Sequence, residues 1–342
     1  MNIYYGIQNN YVDVTEIIKT KNIKIIPADD VKRSLLFECD PAFGILKHIL
    51  INNIVYDNTR TIKFDDDWNV IDRTILFTNA RDESNIVEWV AHHKNIGFDF
   101  IYIYDHKSLF PIKYLFQNSS DIKIEEIKDE NINKINLMCK AVEYSKNNYD
   151  WMLYLDSDEF LILKDDCINS FLKKYEKYHQ IGINWLMFGS NFHNKKPKGT
   201  ILENYTRCDS VLDKHIKCFV RPSFTKGACN PHYYTGLDLN LSVSTNFLKL
   251  NGPFSFTDIS FEKSEAYIAH YIYQSFETFI KRKILRARDD TNTFRPQQFD
   301  EKTLHLEYNS TLNEFPMLKY NDINKKTINV YLEYLQQQYF CK

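Results

Sequence analysis

Long apolar runs are missing from this 342-residue chain, and none approaches the roughly 20 residues that a membrane-spanning helix needs. Residues 1–10 are polar and aromatic, without the basic-then-apolar pattern of a secretory leader. Charge of one sign is also missing. Lys+Arg and Asp+Glu number 43 and 45, a net −2, so bulk electrostatics offers nothing to nucleic acid. Cysteine is scarce and scattered: seven residues, an odd count, with no C-x-x-C pair. That fits free thiols in a reducing compartment better than a disulfide framework, and a cytoplasmic location is expected. Glycine is scarce, at nine residues, and the stretch N-A-R-D-E at residues 79–83 contains none. Neither G-x-G-x-x-G nor G-x-x-x-x-G-K-[ST] occurs, which excludes a dinucleotide fingerprint and a P-loop. Any phosphate bound here must be met by a metal ion and cationic side chains.

What is present centres on residues 150–163, D-W-M-L-Y-L-D-S-D-E-F-L-I-L. Residues 151–155 form an apolar and aromatic run of buried-strand type. Asp156, Ser157, Asp158 and Glu159 follow, and residues 160–163 are apolar again. A buried strand delivers these carboxylates to the carboxyl edge of a sheet, where open α/β sheets hold ligands. There they are hard oxygen ligands, suited to Mg²⁺ or Mn²⁺ carrying a diphosphate. The plainer alternative is an acidic turn between two strands.

Residues 1–70 read as short strands separated by turn-rich pieces, a small β-rich module expected first as a packing platform and second as a binder of a glycan or a partner. From Arg73 the pattern alternates. Residues 74–78 are a buried strand, and 79–84 a polar turn. A helix with Ile86, Val87, Val90 and Ala91 at helical spacing is stopped by Gly97. Residues 100–104 and 122–127 are strands, 132–146 a helix, and 151–155 the central strand. Strand and helix in alternation predict an α/β fold, a mostly parallel sheet with helices on both faces. Asn79 to Glu83, Asp105, and Asp156 to Glu159 then gather at one edge, where a nucleotide would lie. The domain is expected over 71–290, with a tail over 291–342 whose helix, about 325–338, packs on it.

These residues resemble a known family. The stretch from Arg81 to Ser108, R-D-E-S-N-I-V-E-W-V-A-H-H-K-N-I-G-F-D-F-I-Y-I-Y-D-H-K-S, is similar to the opening of glycosyltransferase family 92 and its glycosyltransferase-2-like neighbours. The shared pattern is R-x-E, an E-W-x-x-x-H helix, a glycine, and a strand ending in Y-D. L-D-S-D-E-F stands at the family's D-x-D position. Trp185 with Phe188, Gly189 and Ser190 resembles its W-x-x-F-G-S strand. Lys217 with Arg221 and Pro222 resembles K-x-x-V-R-P, followed by His232. His270, Tyr271, Ser275 and Lys281 resemble a later segment. The likeness covers roughly residues 73–288.

The resemblance implies a GT-A-type nucleotide-diphospho-sugar transferase. It would move a sugar, from a UDP-sugar in the first instance, to a hydroxyl of a glycan acceptor with inversion, using Mn²⁺ or Mg²⁺. Asp158 is the first expectation for a metal ligand, with Asp156 near the ribose or reaching the ion through water, and His232 or His270 completing the set. Asn79, Arg81, Glu83, Asp105 and Ser157 are expected at the nucleotide. Arg81 and Glu83 could instead merely cap their helix. Among the cations of the helix after Ser275, Lys281 is expected at the diphosphate; the five together could also touch a membrane surface. Inversion needs a carboxylate base, for which Asp213 and Asp238 are the candidates. Trp185 and Ser190 are expected on the acceptor side, since an indole face suits the apolar face of a sugar. Two rivals remain: a glycan-binding protein on a transferase scaffold that has lost turnover, and a metal-dependent nucleotidyltransferase.

Overall fold

The protein is described from a computed structural model covering residues 1–129, 132–288, 293–295 and 300–339. Strands Ile3–Ile7, Asn10–Asp13, His48–Ile51 and Ile54–Tyr56 form an antiparallel sheet, and Ile25–Ile26, Ile62–Phe64 and Val70–Ile71 a second, smaller one. They enclose a core of their own around Tyr5, Ile18, Phe37, Ile49 and Phe64. Two helices, Thr15–Thr20 and Asp30–Phe37, lie in this module although the sequence pattern predicts none. The second is started by Asp29, whose carboxylate accepts from the N–H groups of Val31 and Lys32. Its inward position is filled by a fully buried Arg33, which donates to the carbonyls of Pro27 (2.8 Å) and Arg60 (2.6 Å). A cation doing the work of an apolar residue hides the helical period.

The main domain is built on a nine-stranded sheet, whose strands we number Thr74–Ala80 (β1), Phe100–Asp105 (β2), Ile122–Glu126 (β3), Trp151–Tyr154 (β4), Glu159–Leu163 (β5), Gln180–Met187 (β6), Asp213–Val220 (β7), Ser242–Ser244 (β8) and Ala266–His270 (β9). The order is β3-β2-β1-β4-β7-β6-β9-β5, with β8 also on β6. β3, β2, β1 and β4 are mutually parallel, as predicted. Beyond β4 the sheet is mixed: β7 runs antiparallel between β4 and β6, and β5 antiparallel to β9. Every residue of β1, β4 and β5 is buried, so these strands read as continuous apolar runs rather than alternations.

Four helices matter for the site: Ile86–Asn95 (α1), Lys134–Ser145 (α2), Phe276–Phe279 (α3) and Phe315–Tyr339 (α4). α1 and α4 cover one face of the sheet and α2 the other, each over its own hydrophobic cluster. The E-W-V-A-H-H segment of α1 is a clamp. Trp89 Nε1–H donates to the Glu159 carbonyl (2.8 Å), and His92 Nε2 to that of Leu161 (2.8 Å). His93 donates from Nδ1 to the Trp89 carbonyl and accepts at Nε2 from the Leu161 N–H. Burial holds both imidazoles neutral, His92 at about 4.

α4 is longer than predicted and is tied down by polar groups. Tyr320 Oη donates to the Leu163 carbonyl (2.9 Å), and Asn324 reaches His92 and Asn95. Docking by asparagines leaves little apolar period to read. The expected boundary between residues 290 and 291 lies outside the described residues. Among the described residues no helix is long and apolar enough to cross a membrane.

Candidate active site

The carboxyl ends of β1 and β4 open into a cavity of about 390 Å³, closed on its far side by β6, β7, β9 and the chain after α3. Among the described residues, eight lysines and arginines line it against three carboxylates, Glu83, Asp156 and Asp158. Such an excess of positive charge behind low-dielectric walls is a place for a polyanion.

Both aspartates of D-S-D are held by cations. Asp156 pairs through Oδ1 with Lys134, the first residue of α2, and through Oδ2 with Lys217 of β7 at 3.2 Å. Lys217, buried between carboxylates, also lies 3.4 Å from Glu159 Oε2. Burial opposes the charge on Asp156, but Lys134 and Lys217 outweigh it and keep the carboxyl well below its usual range. Glu159 is fully buried, and burial pushes it up to about 8 although Lys217 pulls the other way. Its Oε2 accepts from the Asp156 N–H (2.8 Å), which fixes the turn.

Asp158 Oδ2 takes Lys283 at 2.7 Å and Arg282 at 3.2 Å. Burial again opposes ionisation, and these two cations hold the carboxyl well below normal. Arg282 continues through Nε to Glu83 Oε1 at 2.8 Å, joining the first sheet turn to the D-S-D turn. Both cations sit on a π-helical turn, Ile280–Ile284, that extends α3. Single π turns are often found at functional sites, and this one brings consecutive residues to one carboxylate. Arg286 then anchors the segment on the Arg81 carbonyl and Asp82.

The opposite wall is aromatic. Trp185 packs against His270 (ring centroids 4.4 Å), His232 (5.0 Å) and His215 (5.1 Å). Its Nε1–H has no partner among the described residues. His232 Nδ1 donates to the Ile216 carbonyl at 2.8 Å, so its lone pair is on Nε2; burial lowers it to about 3 and it is neutral. His270 is lowered to about 4 by burial, and its Nε2 lies 3.8 Å from Asp158 Oδ1.

Of the residues singled out from the sequence, the cavity gathers Asn79, Arg81, Glu83, Asp156, Ser157, Asp158, Trp185, His232 and His270. Asp105 is placed apart, spending both carboxylate oxygens on the N–H groups of Ser108 (3.0 Å) and Ile112 (2.8 Å), beside a separate hollow. Lys281 points outward to Glu277 (2.9 Å), while its neighbours Arg282 and Lys283 turn in. Asp238 is exposed and caps the short helix Leu239–Leu241. Ser190 is buried against His305 (2.6 Å) and Asn309. Gly189 beside it is required by closeness: a Cβ there would stand 2.5 Å from Asn309 Oδ1. Asp213 pairs in register with Trp185 on the neighbouring strand, does not line the cavity, and is bonded to His215.

Sequence reasoning missed Lys134, and it assigned Lys217, Arg282 and Lys283 no partner. Lys217 carried a motif signal. Lys134 carried none, since it sits 22 residues from its partner on another element.

The sequence profile of glycosyltransferase family 92 matches residues 74–338. Among solved structures, S. aureus TarS 1–349, also determined in complex with UDP and with UDP-GlcNAc, is 13% identical over 44% of this chain and 48% of its own, with a TM-score of 0.31. HddC from Yersinia pseudotuberculosis is 11% identical over 62% of this chain and 97% of its own, with a TM-score of 0.34. The chain thus spans about half the length of the TarS structures it matches. No curated protein sequence matches it.

Proposed function

The chain belongs to glycosyltransferase family 92, and on that premise we propose that it transfers a sugar from a nucleotide-sugar, a UDP-sugar in the first instance, to a hydroxyl of a glycan or glycoconjugate. The observation that carries the reading is the cationic cavity at the carboxyl edge of a GT-A-type sheet, with Arg282 and Lys283 converging beside D-S-D. Binding a sugar alone gives no reason for such charge. Binding a diphosphate does, and the same cations stabilise it as it leaves.

Among the described residues no three His, Cys, Asp or Glu side chains gather to hold a metal ion by themselves, so a divalent cation here would be held jointly with a diphosphate. Asp158 Oδ1 faces His270 Nε2, an imidazole kept neutral, while Oδ2 is engaged by the two cations. Mg²⁺ and Mn²⁺ commonly take one or two protein ligands and complete their shell with phosphates and water. Asp158 and His270 would hold the ion, which when bound supplies Lewis-acid stabilisation to the diphosphate. Asp156, anchored by Lys134 and Lys217 and 31% exposed, is left to meet the ribose. Asn79, Ser157 and Glu83 shape that edge, and Arg282, Lys283 and Arg286 orient the diphosphate. Asp105 builds the neighbouring turn rather than touching the base. A single displacement with inversion is proposed from the family likeness, with Trp185 facing the acceptor.

Calorimetric binding of UDP, GDP, CMP and TDP, each with Mn²⁺ and with EDTA, tests this on wild type and Asp158→Ala. One nucleotide is expected to bind more tightly with Mn²⁺, and that increment should vanish in Asp158→Ala. If no nucleotide binds under either condition, the transferase reading falls and the glycan-binding rival replaces it.

A further inference from the structure

We propose that the acceptor hydroxyl is deprotonated by His215, oriented by Asp213, on the Trp185 side of the cavity. The inference rests on the transferase reading. β7 pairs regularly with β6 from Gln180↔Val220 to Asn184↔Ile216, and then the register jumps so that Trp185 faces Asp213. Lys214 and His215 are left without partners on β6, and His215 bridges instead to Phe254. A bulge of this kind bends a strand and re-aims side chains, and bulges are over-represented beside active sites. Here it lays the His215 ring on Trp185 (interplanar 26°) and within 5.3 Å of His232, two residues that line the cavity.

One oxygen fixes the imidazole. Asp213 Oδ1 accepts from the His215 backbone N–H (2.8 Å) and from Nδ1 (2.6 Å). The carboxylate therefore keeps the proton on Nδ1 and leaves the Nε2 lone pair to act, the arrangement of carboxylate-oriented histidine bases. His215 does not itself line the cavity; it stacks on Trp185, which does, and its ring is 34% exposed, so the acceptor must extend past Trp185 to reach it. An aromatic rim continues outward, with Phe254 edge-on to His215 at 5.0 Å and Phe256 72% exposed beyond it. These are faces on which a sugar ring can lie. Trp185 also touches His270, which links the dyad to Asp158 at the diphosphate end.

In the step, the acceptor hydroxyl gives its proton to His215 Nε2 as its oxygen bonds to the anomeric carbon. The bond from that carbon to the diphosphate oxygen breaks, and its electron pair leaves with the nucleoside diphosphate. The hydrogen bond from Nδ1 to Asp213 stabilises the imidazolium. His215 is thus a catalytic residue and Asp213 a positioning residue.

The test uses the full chain with a panel of UDP-, GDP-, CMP- and TDP-sugars and p-nitrophenyl glycoside acceptors, and takes the pair that wild type turns over fastest. His215→Gln is expected to lower kcat by about 10²-fold or more, the scale of general-base catalysis, with KM for the donor and UDP affinity little changed. Asp213→Asn should lower kcat similarly through the wrong tautomer, and added imidazole should rescue His215→Ala but not Asp158→Ala. Wild-type turnover that survives His215→Gln within about threefold overturns the dyad and leaves the transferase reading standing. Loss in Asp213→Asn alone assigns the base to Asp213 and equally overturns it. A folded wild type inactive on every pair while binding no nucleotide removes the premise, and the proposal with it.

Discussion

Replacing Lys217 with methionine removes the cation that sits between Asp156 and Glu159 while keeping the volume. Lys217 is 1% exposed and lies 3.2 and 3.4 Å from its two carboxylates. Breaking a buried pair by removing one partner costs about 3–5 kcal/mol, because a charge is left uncompensated. At roughly 2 °C per kcal/mol for a large domain, the melting temperature should fall by about 6–10 °C. The pH dependence is more telling. Glu159 stands at about 8 against an ordinary 4.5, so the folded state binds its proton more tightly than the unfolded one. A raised carboxyl contributes stability below its unfolded value and loses it as pH rises toward the folded value. Without Lys217, which pulls Glu159 down, the folded value rises further and the decline continues past pH 8. The gap between wild type and variant should therefore be wider at pH 9 than at pH 6, read by differential scanning calorimetry at both. Asp156 adds a constant cost across that window, since it is ionised throughout. Equal melting temperatures within about 2 °C, or a wider gap at pH 6, would refute the reasoning.

Three further outcomes follow from the geometry. Glu88 is buried, accepts from the Ile201 and Leu202 N–H groups, and is pushed by burial to about 7; its contribution to stability should be lost as pH rises through that value, and Glu88→Gln should flatten calorimetric stability between pH 5 and 7. Gly189→Ala drives a Cβ against Asn309 and the Tyr308 carbonyl, and should cost about 1–3 kcal/mol of stability in a denaturant titration while nucleotide affinity is unchanged. Arg282→Met removes a charged partner of Asp158 and a cation of the proposed diphosphate site, so UDP affinity by calorimetry should fall by about 10-fold or more, the scale of one charged hydrogen bond.

Some of this is legible in the order of the amino acids. β1, β2 and β4 announce themselves because strands buried on both faces must be apolar throughout, whereas β3, I-K-I-E-E at the edge of the sheet, is partly exposed and carries a weaker signal. Other features are not. The Lys134–Asp156 pair joins two elements 22 residues apart, and the Trp185–His215 stack depends on a bulge with no local code. Arg282 and Lys283 read as a solvated basic face, because the pattern assumes 3.6 residues per turn. The π turn breaks that period and points both inward.

Sequence by itself therefore determined the α/β class, the placement of D-S-D at a sheet edge, and the family. The first two follow from local composition, since a strand's burial is written in its own residues, and the family from the order of its motifs along the chain. Only the tertiary structure decided which cations neutralise Asp156 and Asp158, and that Lys281 and Asp238 face outward. It also brought Asp213 into a hydrogen bond with His215. Ion pairs and tautomers are set by distances across the fold, and those distances exist only once the separate elements have met.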